Sequence, residues 1–429
     1  MTQTGHAATR STDRWIACHE CDLIHPVVAI DGPGKASCRR CGSPLYASIP
    51  NTIDRALALH LSAFMLLLLT NLYPFISLKL GGRIETNMMG SGVLAMAKYG
   101  MPELGILVFL TSILFPLLST LGMISILLPM KFGWTPPTMP GVYRFVRIIS
   151  SWSLLGVFML GLLVAIVKLL DLATVIPGIG LFAFIGLIVV STAAFSQFDP
   201  RVLWQTARYR TGEAFDDSAL DDRKGALNNG LISCHDCSLL IPLDTLDSHG
   251  HGRCPRCGSS LHPRKQDSII RTWALVVTAC ILLIPANTYP VMTVIRFGQG
   301  APDTIMSGVI HLIEGGMWPL ALLVFFASVV VPVTKLIVLV FLLRSVQKRS
   351  PWRPTDRTRL YRATEVVGAW SMVDIYLIAI LGALVNLDAI STIEPGIGAT
   401  FFASVVVVTM IAAHSFDPRL IWDNLDGAP

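Results

Sequence analysis

Eight of the nine cysteines fall into two sets that share one spacing. Cys18, Cys21, Cys38 and Cys41 form two C-x2-C pairs with sixteen residues between them, and Cys234, Cys237, Cys254 and Cys257 repeat the set at a constant offset of 216. Each pair fits a tight turn that aims both sulfurs the same way, and two such turns close a tetrahedron of thiolates. The pattern predicts a four-cysteine zinc ribbon used twice, with iron as the other metal such a set takes. A ribbon this small buries little core, so metal binding supplies most of its folding free energy and both sites are expected to be structural. Gly42 and Gly258 follow the second pairs, where the knuckle turn calls for a positive φ. His19 and His235 lie inside the first pairs; four cysteines already complete each site, so both are expected to face solvent. Cys280, alone in the run "TACILLIP", is expected to be a small buried hydrophobe. A thioredoxin-like redox pair needs βαβ surroundings, which neither set has. Nucleic-acid binding needs a dense basic face with interleaved aromatics, which is also missing.

The rest of the chain must hold these modules, and its composition says where. Of 429 residues 53% are hydrophobic and 14% charged, with a mean hydropathy of +0.61, which excludes an ordinary soluble enzyme. Eight runs long enough to cross about 30 Å of hydrocarbon recur near 56–77, 104–128, 148–170, 175–197, 271–293, 319–343, 364–386 and 395–416. Met1 opens a polar stretch without the pattern of a cleaved secretory signal, so the first span is expected to insert uncleaved. With both termini and the ribbons in the cytoplasm, 27 lysines and arginines fall on that side and four on the other. That is the positive-inside bias. Loops facing anionic lipid then account for the net charge of +5. The cytoplasm is reducing, which disfavours disulfides between these thiols.

The repeat extends beyond the cysteines. The offset of 216 carries Asn71, Tyr73 and Pro74 onto Asn287, Tyr289 and Pro290, "SGV" at 91 onto 307, and Pro116 onto Pro332. An offset of 218 then carries Trp152-Ser153 onto Trp370-Ser371, "PGIG" at 177 onto 395 and "FDPR" at 198 onto 416. An even number of spans per unit makes the repeat parallel. The expected fold is an all-α polytopic membrane protein of two tandem parallel repeats, each a cytoplasmic four-cysteine zinc ribbon followed by a four-helix transmembrane bundle. Its parts are a disordered N-terminus (1–14), ribbon (15–50), bundle (51–200), linker (201–229), ribbon (230–265), bundle (266–418) and tail (419–429).

Ionisable groups inside spans cost about 2.5–3.5 kcal/mol each on insertion scales, which singles them out. Lys335, Asp374 and Thr409 lie roughly 12, 15 and 10 Å from the cytoplasmic ends of their spans at ~1.5 Å per residue. One layer therefore holds a lysine, an aspartate and a hydroxyl, with Ser371 near by, and an ion pair fits that layer. The first repeat has Ser119, Gly156 and Ser191 in those places, so a purely structural pair is not kept twice, and a functional role is the favoured reading. Lys168 and Asp171 are expected to snorkel to an interface. Pro116 and Pro332 predict kinks, and "PGIG" predicts a first-turn proline for the fourth and eighth spans. "ISLKLGGRIETN" and "MTVIRFGQGAPDT" predict outer hairpins, with Tyr73 and Tyr289 as interfacial anchors.

The paired "CHxC…CxRCGSxL" stretches, "TNLYP", "WSMVDIY" at 370 and "SFDPRLIW" at 415 resemble the PqiA/LetA family of bacterial inner-membrane proteins over about residues 15–423. Length and composition lean toward the LetA side. The resemblance implies a tetraspan, claudin-like bundle in each repeat and ribbons that brace the bundle ends. It also implies a periplasmic MCE-domain hexamer as partner and transport of phospholipid or a similar amphiphile, with Lys335, Asp374, Thr409 and Ser371 as the polar centre and proton movement as a drive. The alternative is a scaffold or a zinc or thiol-stress sensor that anchors the MCE partner without transporting. No Walker A motif is present, so no direct use of ATP is expected, and the resemblance implies transport in place of catalysis. An ordinary solute transporter is disfavoured because the spans show no broken-helix pairs.

Overall fold

The computed structural model describes residues 14–30, 32–80, 83–170, 174–205, 220–296, 299–384 and 391–425. The N-terminal segment expected to be disordered lies outside the described residues up to residue 13, as do much of the linker (206–219), Asp171 and the side chain of Lys168.

The first repeat opens with two hairpins, β1 (Trp15–Ala17) with β2 (Ile24–Pro26) and β3 (Gly34–Ser37) with β4 (Pro44–Ser48). Its membrane part begins with α1 (Thr52–Leu72). An outer hairpin of β5 (Ile76–Leu80) and β6 (Arg83–Asn87) follows, then α2 (Ser91–Lys98), α3 (Pro102–Phe109), α4 (Phe115–Lys131), α5 (Met139–Ser150) and α6 (Leu155–Leu170). Strand β7 (Thr174–Pro177), α7 (Ile179–Ser196) and the short α8 (Arg201–Trp204) close it.

The second repeat has the same order. Hairpins β8 (Leu231–Ser233) with β9 (Leu240–Pro242) and β10 (Gly252–Arg253) with β11 (Ser260–Leu261) precede α9 (Ser268–Thr288), β12 (Met292–Arg296), β13 (Gln299–Asp303) and α10 (Ile305–Glu314). Then come α11 (Trp318–Phe325), α12 (Val331–Gln347), α13 (Pro354–Gly368), α14 (Val373–Leu384), β14 (Ser391–Pro395) and α15 (Ile397–Ser415). Counting α3–α4, α5–α6, α11–α12 and α13–α14 as single rods, eight helices among the described residues are long and apolar enough to cross a membrane. The chain is a multi-pass membrane protein with a ribbon end and a sheet end.

The repeated motifs acquire physical reasons. Each outer hairpin gains a third strand from the segment before the last span, giving antiparallel sheets ordered β6-β5-β7 and β13-β12-β14. Pro177 and Pro395 therefore end strands, and the helices start two residues later; the expected first-turn prolines are corrected. The glycines of "PGIG" allow a close backbone approach. A Cβ at Gly178 would sit 2.1 Å from the Pro74 carbonyl oxygen, and one at Gly396 would sit 2.2 Å from that of Pro290. This is why "YP" and "PGIG" recur together.

Where kinks were expected, π turns at Leu110–Leu114 and Phe326–Val330 precede Pro116 and Pro332 and absorb the missing N–H. The start of each first span is tied to the end of the fourth. Thr52 Oγ1 donates to Gln197 O at 2.8 Å and accepts from Asp199 N at 3.1 Å. Ser268 does the same with Ser415 O at 2.9 Å and Asp417 N at 2.9 Å.

The third and seventh spans depart from regular α-helix at matching places. Residues 151–154 separate α5 from α6, and a 3-10 turn at Ala369–Met372 separates α13 from α14. Trp152-Ser153 and Trp370-Ser371 lie at these places. The third span is thus interrupted, while the seventh tightens its pitch without leaving the helical conformation. Neither residue type stops a helix by itself, which is why the motif carried no such warning.

The two halves are not placed alike. Helix α14 leans on the first repeat: a Cβ at Gly92 would lie 3.2 Å from Ala379 O and one at Gly161 3.1 Å from Val373 O, whereas Gly308, the equivalent of Gly92, meets nothing within 4 Å. The Tyr376 hydroxyl donates to Thr111 Oγ1 at 2.7 Å and pins the contact. The seventh span ends up central, with 76% of its apolar window buried against 44% for the third.

The ribbons are crossed. The first packs its cysteines and Leu23 against α9, α12, α13 and the tail of the second bundle, among them Leu336, Leu342, Tyr361, Phe416 and Trp422. The second packs against Ile126, Met130, Met139, Tyr143 and Trp204 of the first. Ion pairs fasten each crossing. Arg362 grips Glu20 at 2.5 and 3.1 Å, and Arg144 meets Asp236 at 2.8 Å. These pairs are equivalent under the repeat.

Candidate functional site

Each thiol quartet is built by two turns. The N–H of Asp22 donates to Cys18 O and that of Gly42 to Cys38 O, both at 2.9 Å, and the second ribbon repeats this with Ser238 to Cys234 O at 2.9 Å and Gly258 to Cys254 O at 2.8 Å. Gly42 and Gly258 have φ of 73° and 69°, as the spacing predicted. Sulfurs of Cys18 and Cys41, Cys21 and Cys38, Cys234 and Cys257, and Cys237 and Cys254 are each 3.5 Å apart. A disulfide is near 2.05 Å, while the edge of a tetrahedron with metal–sulfur bonds of ~2.3 Å is ~3.8 Å. All four sulfurs of each quartet lie within 4.8 Å of one another, all eight cysteines are buried, and none is in a disulfide. The residues fit a metal ion in each quartet.

His19 and His235 are exposed and approach ring to ring at 6.2 Å, where the two ribbons meet. Cys280 is also exposed, on the outside of α9, so the expected burial is wrong. An apolar run looks the same whether it faces a core or lipid.

The polar layer differs from the expected ion pair. Lys335, Ser371, Asp374 and Thr409 are all buried. Lys335, however, extends to the end of α13, where its Nζ would lie 2.5 Å from a Cβ at Gly368, and the opposite charge it feels is Glu365. Glu365 in turn meets His414 at 3.4 Å. Asp374 sits in the first turn of α14, beyond the 3-10 turn. Among the described residues neither of its carboxylate oxygens has a hydrogen-bond partner of good geometry; the hydroxyl beside it, that of Ser328, lies 2.6 Å from Val324 O. Lys335 and Asp374 share no ion pair among the described residues. Instead Lys335 lies beside Gly368 on one side of the 3-10 turn and Asp374 lies on the other. Thr409 Oγ1 donates to Val406 O at 2.9 Å.

Two cavities flank this layer. One of about 50 Å³ lies beneath the second sheet, lined by Val291, Asp303, Gly308, Leu320, Val324 and Asp374. Another of about 710 Å³ lies at the ribbon end, lined by residues of both ribbons with Arg147, Lys265, Glu365, His414 and Asp417. At that end burial opposes and Arg419 favours the charge on Asp417, with the net effect of holding its carboxyl below the usual carboxylate range.

The residues that reading the sequence missed are the docking pairs Glu20–Arg362 and Asp236–Arg144. The signal was there, since the acid falls at the same place in "CHEC" and "CHDC" and the arginines differ by 218.

Fold and site together define a class: a duplicated membrane protein with two four-cysteine ribbons on one face, two small sheets on the other and, among the described residues, a carboxylate without an ion pair between them. The chain belongs to the paraquat-inducible protein A family, whose model matches residues 53–208 and 269–426. It is 32% identical to the intermembrane transport protein PqiA of Escherichia coli strain K12, over 99% of this chain and 98% of that one. It is 28% identical to the lipophilic envelope-spanning tunnel protein A of the same strain, over 95% and 90%, and 28% identical to a probable intermembrane transport protein of Haemophilus influenzae, over 96% of each. The identities do not favour the LetA side of the family. No solved structure matches the chain.

Proposed function

We propose that this protein is the inner-membrane subunit of an MCE-type intermembrane lipid transport system. It passes phospholipid or a similar amphiphile to or from a periplasmic MCE tunnel, with ribbons and both termini in the cytoplasm and one zinc ion in each ribbon. The relatives' names support transport between membranes, and the charge bias supports the orientation.

The observation that carries a driven carrier over a scaffold is Asp374. A carboxyl group buried without a partner is costly, and membrane proteins keep such groups where protons or ligands are handled. It sits just past the 3-10 turn of the seventh span, at the place where the third span is interrupted. Its cavity of about 50 Å³ has room for water, which needs ~10–15 Å³ of such volume, and Asp303 roofs it toward the periplasmic side. Lys335 reaches the opposite side through Glu365 and His414. The proton route therefore has two separate stations in place of one ion pair.

The test is Asp374→Leu in cells without redundant lipid transporters. Because Asp374 has no ion-pair partner among the described residues to orphan, the variant is expected to fold and to co-purify with the MCE hexamer while envelope integrity fails. Wild-type growth under detergent stress would leave only the anchoring role.

A further inference from the structure

We infer that His25 makes the first thiol quartet the slower of the two to release its metal. The inference rests on the reading that both quartets hold metal.

His25 lies on β2, buried, with Nε2 3.2 Å from Cys38 Sγ. A metal-bound thiolate has no proton to give, so the ring must carry its proton on Nε2 and donate it to sulfur. The backbone N–H of Arg40 donates to the same sulfur at 3.4 Å. Donors aimed at a thiolate draw charge from it. They weaken it as a nucleophile toward the electrophiles and oxidants that open thiolate sites, and they hold the ligand in place. The second ribbon has Ile241 at the place of His25, buried and without a donor.

Packing points the same way. No sulfur-bearing residue of the first quartet is more than 3% exposed, whereas Cys237 and Cys257 of the second reach 6% and 7%. The first quartet is also covered by Arg362, whose Nη2 donates to Cys41 O at 3.5 Å as well as to Glu20. Through the crossed docking, the guarded quartet is the one that braces α13, next to Lys335 and Glu365. The less guarded one braces the first bundle.

The experiment uses the full-length protein in detergent, loaded with zinc, assayed for zinc content and then challenged with excess chelator and a thiol-alkylating reagent. Two zinc ions per chain are expected to leave in two phases of equal amplitude. His25→Ile, which copies the second ribbon, should speed the slow phase about tenfold, the lower end of what such outer contacts contribute. Ile241→His should slow the fast phase, and it keeps the test decisive even if His25→Ile folds poorly. A single release rate in the wild type would overturn the inference, as would a slow phase untouched by His25→Ile alongside a fast phase untouched by Ile241→His. Fewer than two metal ions per chain at the start would overturn the metal reading beneath it.

Discussion

Each bundle leaves a small cavity under its outer sheet, about 30 Å³ in the first and about 50 Å³ in the second, and the second is lined by a carboxylate of its own span, Asp374. In the first, Phe75, Phe158 and Phe184 pack edge to face, with centroids 5.4–6.1 Å apart. In the second the matching residues are Val291, Tyr376 and Phe402. A ring has been lost, another has gained a hydroxyl that reaches across to Thr111, and the cavity that remains ends on Asp374. Gly156, the counterpart of Asp374, is exposed on the bundle surface with nothing near its missing Cβ. The two cavities therefore differ in chemistry more than in size, the second carrying Asp303 and Asp374 where the first has Asn87 and Ser91 in its lining.

The largest effect should come from emptying a ribbon. Cys237→Ser with Cys254→Ser should remove one of two metal ions per chain and unfold the second ribbon, since metal supplies ~10–16 kcal/mol in comparable small domains. Because docking is crossed, hydrogen exchange should rise in α4 and α5 of the first bundle and stay low in α12 and α13. The reverse pattern would break the crossed arrangement. Next, Gly178→Ala and Gly396→Ala should each destabilise by about 3 kcal/mol, because a backbone oxygen has to move. Unequal costs would show that the two sheet anchors are not the same device.

Exchanging the ring sharpens the contrast between cavities. Phe75→Val should lower stability by about 2 kcal/mol and spare transport. Val291→Phe should raise stability by about 1 kcal/mol while abolishing envelope protection, read as detergent sensitivity of growing cells. If Val291→Phe protects as well as wild type, the cavity has no part in function. Arg144→Ala and Arg362→Ala should each cost about 1 kcal/mol, being partly exposed ion pairs, and Glu20→Arg with Arg362→Glu should recover most of the second loss in thermal unfolding.

The smallest effect concerns pH. Asp417 is held below the usual carboxylate range, so its contribution is complete above the ordinary carboxylate pKa and fades as pH falls through its own lower value. Asp417→Asn should therefore flatten the acid limb of the stability profile and shift the melting point at pH 7 most.

The eight thiols, the eight spans and the duplication were legible because they depend on local spacing and on run length, both written directly in a chain. Azimuth was not. Depth along a helix put Lys335 and Asp374 in one layer, but which way each side chain points depends on helix rotation and on the 3-10 turn at Ala369–Met372, which neither tryptophan nor serine announces. Cys280 failed for a related reason, as lipid and protein core demand the same residues. The choice of partner for each ribbon was hidden too: nothing local distinguishes docking on the adjacent bundle from docking on the distant one. Only paired substitutions, acid at 20 and 236 against arginine at 362 and 144, carry that information.

Crossed docking also sets an order of events during biosynthesis. The first ribbon leaves the ribosome well before the bundle it will rest on is complete, with about 380 residues between Cys41 and Trp422, or roughly 20–75 s at ~5–20 residues per second. For that interval its thiols lack the cover that the second bundle gives them in the finished fold. The second ribbon is made after its bundle and docks at once. Cutting the chain between residues 205 and 220 should then yield two fragments that are each unfinished, and that complete each other only when made together in one membrane.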